Sequence, residues 1–188
     1  EIRFGTASFA YEGWKGLVYH ERYRAATFKV ECLREYTQFA PFRAVEFDFP
    51  FYRPPSETQL ARYAAALPAG FPVVSKVWEE ITMPRFPELP RHGARAGRDN
   101  PRYLDARAFR DEVLPAYEKA FRGHTGPFVF EFPAEWQPTP ARRAEFLGRL
   151  DGFLAELPAA HTYAVEIRTP AYFAPDYFDV LRRRGAAH

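Results

Sequence analysis

Phe128-Val129-Phe130-Glu131-Phe132-Pro133 decides how this 188-residue chain is read. Phenylalanine at every second position is the period of a β-strand, and proline ends it. Phe128, Phe130 and Phe132 share one face, so Glu131 points from the other. Four more stretches end in the same way: Phe4-Gly5-Thr6, Val45-Glu46-Phe47-Asp48, Val74-Ser75-Lys76 and Val165-Glu166-Ile167-Arg168. Alternation sets Val45 and Phe47 against Glu46 and Asp48. It sets Val73, Ser75 and Val77 against Lys76, and Val165 and Ile167 against Glu166 and Arg168. Between these stretches the apolar residues follow helical spacing. A strand–helix repeat makes a parallel sheet covered on both faces. Buried charge is costly unless it is paired or used, so charges at the carboxyl ends of successive strands read as one site.

Working outward, strands are expected over 2–5, 44–47, 71–77, 127–132 and 162–167. Helices are expected over 25–39, after an N-cap at Ser56, after Asp105 through Phe121, after Thr139-Pro140, and over 175–183 with Gly185 as terminator. Residues 186–188 read as the start of a sixth strand. The segment 78–104 is long for a connection, with a basic patch of Arg91, His92, Arg95 and Arg98; it reads as a binding loop or a solvated mobile one, with His92 at the surface. Five strand–helix units and a stub fall short of an eight-stranded barrel of about 250 residues. The chain is therefore either a complete open sheet or, the favoured reading, a single domain over 1–188 that is incomplete at its C-terminal end. No glycine-rich phosphate loop follows the first strand, which counts against a nucleotide-binding open sheet.

Composition narrows the class. The hydrophobic fraction is 47% and the aromatic fraction 18%, which excludes a disordered chain. A net charge of +2 is too small to argue for nucleic acid by itself. The single cysteine, Cys32, allows neither an internal disulfide nor a multi-cysteine metal site, and its place on a helix stripe suits a core residue. No apolar run is long enough to span a membrane, and the expected location is the cytoplasm.

Five motifs in order resemble the domain of unknown function 72 (YecE-like) family. They are Gly5-Thr6-Ala7-Ser8-Phe9 with Tyr11 and Trp14; Val45-Glu46-Phe47-Asp48 with Phe51-Tyr52 and Pro54-Pro55-Ser56; Phe71 to Lys76 with Ile81-Thr82; Phe130-Glu131-Phe132-Pro133; and Tyr163 to Arg168. The resemblance runs over essentially the whole chain. It implies a TIM-type (β/α) barrel of which the chain holds about five strand–helix units, and it carries no activity with it. Asp48 and Glu131 stand where the family pattern has asparagine and glutamine, and Ser8 where glycine is common. If glutamine serves equally at position 131, Glu131 is not a required proton donor.

Glu46, Lys76, Glu166 and Arg168 are the catalytic candidates, with Asp48 and Glu131 beside them. Thr6, Phe9, Tyr11, Tyr52 and Trp78 follow strand ends and are candidates for binding a substrate, against the alternative that loop aromatics simply roof a core. Three chemistries suit the set. One is acid–base catalysis on a small anionic or polyhydroxylated substrate by a hydrolase, lyase or isomerase. Another is a Schiff base on Lys76. The third is a divalent cation on the four carboxylates, although no cofactor is required and no strand carries a histidine. Two non-catalytic alternatives remain: an ion network that only fixes the fold, and a module binding nucleic acid or protein through its basic and aromatic loops.

Overall fold

Apolar alternation becomes four parallel strands in the computed structural model, which describes residues 2–134 and 139–188. They are β1 (Val45–Phe47), β2 (Val73–Lys76), β3 (Thr125–Phe132) and β4 (Tyr163–Ile167), hydrogen-bonded in sequence order. Their outer face is closed to water: Val45, Phe47, Val73, Ser75, Val77, Phe128, Phe130, Phe132, Val165 and Ile167 are all buried. Phe47 packs on Phe9, Phe49, Tyr63 and Phe121. Phe130 packs on Phe109 and Phe153. On the opposite face Glu46, Val74, Lys76, Val129, Glu131, Ala164 and Glu166 remain half-open. This asymmetry positions the site, because only the charged face stays accessible.

Helices α1 (Phe28–Tyr36), α2 (Glu57–Ala64), α3 (Glu79–Thr82), α4 (Ala106–Ala108), α5 (Leu114–Ala120), α6 (Pro140–Glu156) and α7 (Pro175–Arg184) complete the described elements, with short 3-10 turns between them. Their starts are chemically marked. The Ser56 side chain accepts from the Gln59 amide, Asp105 from Arg107 and Ala108, and Thr139 from Arg142. Gly185 stops α7 with a φ of 65°, a left-handed conformation that favours glycine. Between α4 and α5, residues Phe109–Val113 widen into a π turn just before Pro115. Proline lacks the amide that a regular turn needs, so the ladder is already interrupted there.

Two expectations need correction. Residues 2–5 do not form a strand. They run beside β1, where the amides of Arg43 and Ala44 donate to the Phe4 carbonyl at 2.7 and 3.2 Å and Glu46 donates to Thr6 at 3.0 Å. Ile2 and Phe4 are exposed. The four-stranded sheet is open among the described residues, in a chain expected to hold only about five strand–helix units. At the far edge Ala187 makes a parallel bridge to Ala164, where the start of a further strand was expected. Segment 78–104 is not a loose loop either. It contains α3, a 3-10 turn over Pro90–Arg95 and an antiparallel bridge between Arg85 and Asp99, and His92 is buried against Phe86.

Candidate functional site

Each strand delivers its charge to the same end of the sheet. Glu46 and Asp48 come from β1 and the turn after it, Lys76 from the last residue of β2, Glu131 from β3, and Glu166 and Arg168 from the end of β4. Glu131 and Glu166 are direct register partners on adjacent strands. Two like charges side by side destabilise a sheet unless a cation lies between them. Here two cations do so. The Lys76 ammonium lies 2.6 Å from Glu131 Oε2, 3.0 Å from Asp48 Oδ1, 3.7 Å from Glu46 Oε1 and 3.9 Å from Glu166 Oε2. The Arg168 Nη2 lies 2.9 Å from both Glu131 Oε1 and Glu166 Oε1, and its Nε donates to Glu166 at 2.9 Å. Glu131 thus spans both cations, one with each oxygen.

Four carboxylates face one ammonium and one guanidinium, so the cluster carries surplus negative charge. The surplus settles unevenly. Burial pushes the Glu46 carboxyl up; Lys76 draws it down, while Asp48, Glu166 and Glu131 push it up again, and the net shift is upward. Lys76 answers oppositely. Burial alone would lower its pKa, but the bonds to Glu131 and Asp48 outweigh that and hold the amine protonated above the usual lysine range. A Schiff-base nucleophile needs a free amine, so the resting network does not present one. Arg168 is raised by its bond to Glu166.

Among the described residues, no group of three or more His, Cys, Asp or Glu side chains is arranged to hold a metal ion. The Lys76 ammonium itself occupies the point where the carboxylates converge.

The binding candidates divide. Thr6 belongs to the frame: its amide donates to the Tyr36 hydroxyl at 3.0 Å, and that hydroxyl donates to Ala44 at 3.1 Å. Phe9 is buried beneath the site between Tyr36, Phe47 and Tyr63. Trp78 is half-buried under the Arg102 guanidinium, 5.1 Å from its ring centre. Tyr11 and Tyr52 are exposed. Tyr11 meets Trp14 edge-on, and Arg91 approaches Tyr52 at 5.8 Å. Trp14 and Phe51 are half-buried.

Sequence reasoning saw only the basic half of the strap that follows β2. Glu79 and Glu80 are buried at its start. Glu79 takes Arg91 at 2.8 Å, and Glu80 takes Arg95 at 2.5 Å and Arg102 at 3.8 Å. The signal was present as two acids wedged between Trp78 and Ile81, with arginines at 91 and 95 one helical turn apart.

With this geometry in hand, comparison with known proteins gives one consistent answer. The family profile described as "Protein of unknown function DUF72" matches residues 3–188. A DUF72 family protein from Thermotoga maritima superposes with a TM-score of 0.64 at 23% identity, covering 98% of this chain and 62% of that one. A DUF72 family protein from Enterococcus faecalis superposes with a TM-score of 0.62 at 18% identity, covering 98% and 58%. The chain therefore spans about three-fifths of the length of these solved relatives. No curated protein sequence gives a significant match. No helix among the described residues is long and apolar enough to cross a membrane.

Proposed function

This chain belongs to the DUF72 family, and we propose that it is an enzyme performing acid–base chemistry on a small polyhydroxylated substrate at the strand-end cluster. One observation carries the reading. Glu46, whose carboxyl is held above its usual range, and Glu166, bound by Arg168, approach the same ammonium at 3.7 and 3.9 Å. Two carboxylates in unlike environments can divide the labour of proton transfer: the one whose carboxyl is raised is suited to give a proton, and the one held by a guanidinium is suited to take it. Lys76 and Arg168 fix the geometry and stabilise negative charge as it develops on a substrate oxygen. Surplus negative charge favours hydroxyl donors as ligands over molecules that carry several anionic groups. Hydrolase, lyase and isomerase chemistry all suit such a pair.

We read the sheet as part of a TIM-type barrel. Sequential parallel order supports this, as do the parallel contacts that continue at both edges, through residues 4–6 and Ala187. In such barrels the carboxyl ends of the strands hold the chemistry. A nucleic-acid module would rest on Arg91, Arg95 and Arg98, but Arg91 and Arg95 are already paired with buried carboxylates. The purified protein, screened against glycosides and sugar phosphates, should turn over at least one of them. Glu166→Gln and Lys76→Ala should each lower kcat by about a hundredfold or more. An activity that survives both substitutions would remove the cluster from the mechanism.

A further inference from the structure

At the β1 end of the Lys76 network lies a bay of about 230 Å³. That is below the usual range for drug-sized ligands and suits a single monosaccharide-sized molecule. Its polar wall holds the two acids of the β1 end, Glu46 and Asp48, with Ser8 and Gln59 nearby. Its apolar wall is aromatic: Phe49 and Tyr63 stack with ring centres 5.2 Å apart and planes 27° from parallel, above the buried Phe9. The bay is also lined by Lys29, an exposed residue on the first turn of α1.

Lys29 is the informative residue. Lys76, Arg168, Arg91 and Arg95 each already hold a carboxylate. Among the described residues Lys29 makes no ion pair, although it lines a bay that contains two acids. The bay thus presents three chemistries at once: an aromatic wall for the C–H face of a ring, carboxyl groups for its hydroxyls, and one uncommitted cation.

We propose that the bay holds a compact polyol bearing a single anionic group, carboxylate or phosphate, with the anion on Lys29 and a hydroxyl presented to Glu46. This narrows the substrate class of the acid–base reading above and rests on it. Lys29 selects the substrate and takes no part in proton transfer. Lys29 offsets that one anionic group against the surplus negative charge of the cluster.

Calorimetric titration of the protein with hexose 6-phosphates, hexuronates and the matching neutral hexoses tests this. Either anionic series, or both, should bind more tightly than the neutral sugars, and the series that binds identifies the anion. Lys29→Ala should weaken the anionic ligands by about tenfold or more and leave the neutral sugars unchanged. Lys29→Arg should restore most of the affinity. Equal affinity for charged and neutral sugars, an unchanged affinity in Lys29→Ala, or no binding of either anionic series would overturn the proposal. Glu46→Gln separates the two readings, since it should retain anion binding while losing turnover. If it keeps both, the acid–base reading fails while the assignment of Lys29 stands.

Discussion

Replacing Lys76 with methionine keeps the length of the side chain and removes the one charge that approaches all four carboxylates. The Lys76 and Glu131 side chains are 14% and 11% exposed, so water cannot readily take over the lost role. Breaking a buried pair by deleting one partner typically costs about 3–5 kcal/mol, because the other charge is left uncompensated. Arg168 still holds Glu131 and Glu166, and Asp48 can turn to solvent, so we expect about 2–4 kcal/mol here. For a chain of this size that corresponds to a fall in Tm of about 5–10 °C at pH 7. The pH dependence gives the sharper test. Glu46 binds its proton more tightly in the folded state than in the unfolded one, so acidification neutralises it above its ordinary range and relieves the repulsion. The gap between variant and parent should therefore narrow as the pH falls from 7 towards 4. In the parent, the raised Lys76 contributes fully below the ordinary lysine pKa, and its contribution is lost only as the pH rises past that value, about 10.4. Thermal unfolding of both proteins, of Glu131→Gln and of Lys76→Met combined with Glu131→Gln gives the coupling directly. A variant as stable as the parent at pH 7, or a penalty independent of pH, would refute the reasoning.

Further outcomes follow from the same contacts. Glu46→Gln should raise Tm at pH 7 while abolishing activity, because ionised Glu46 is held at a cost in the folded state; the gain should vanish in acid, where the parent is protonated too. Arg91→Ala leaves Glu79 buried without its guanidinium. With the arginine itself 44% exposed, the loss should be about 1–2 kcal/mol, with faster amide exchange confined to residues 84–100. Gly5→Ala drives a Cβ into the Ala44 carbonyl and should cost about 1–3 kcal/mol, visible in denaturant titration and in a displaced Thr6 amide resonance.

Alternation along the strands was enough to sort inward from outward residues. Each of Glu46, Lys76, Glu131 and Glu166 lies on the half-open face, because a one-residue slip would have buried charge under the helices. The helix starts at Ser56, Asp105 and Thr139 were legible because a capping side chain acts on its own neighbours. Residues 2–5 misled for the converse reason: their apolar pattern is strand-like, but a strand exists only through partners, and pattern does not reveal who pairs with whom. The strap after β2 was missed because Glu79 and Glu80 meet Arg91, Arg95 and Arg102 only through the folding of the chain. Read alone, those arginines looked like a solvated patch. Lys29 was invisible in the same way, since its bay exists only where α1, α2 and the end of β1 converge.

The central claim is that the cluster holds the Glu46 carboxyl above its usual range. Following the Glu46 carboxyl carbon by NMR from pH 3 to 8, assigned through Glu46→Gln, tests it most directly. The account predicts a midpoint above the ordinary glutamate value of about 4.3, moving higher still in Lys76→Met. A midpoint at or below that value, unmoved by loss of Lys76, would contradict it.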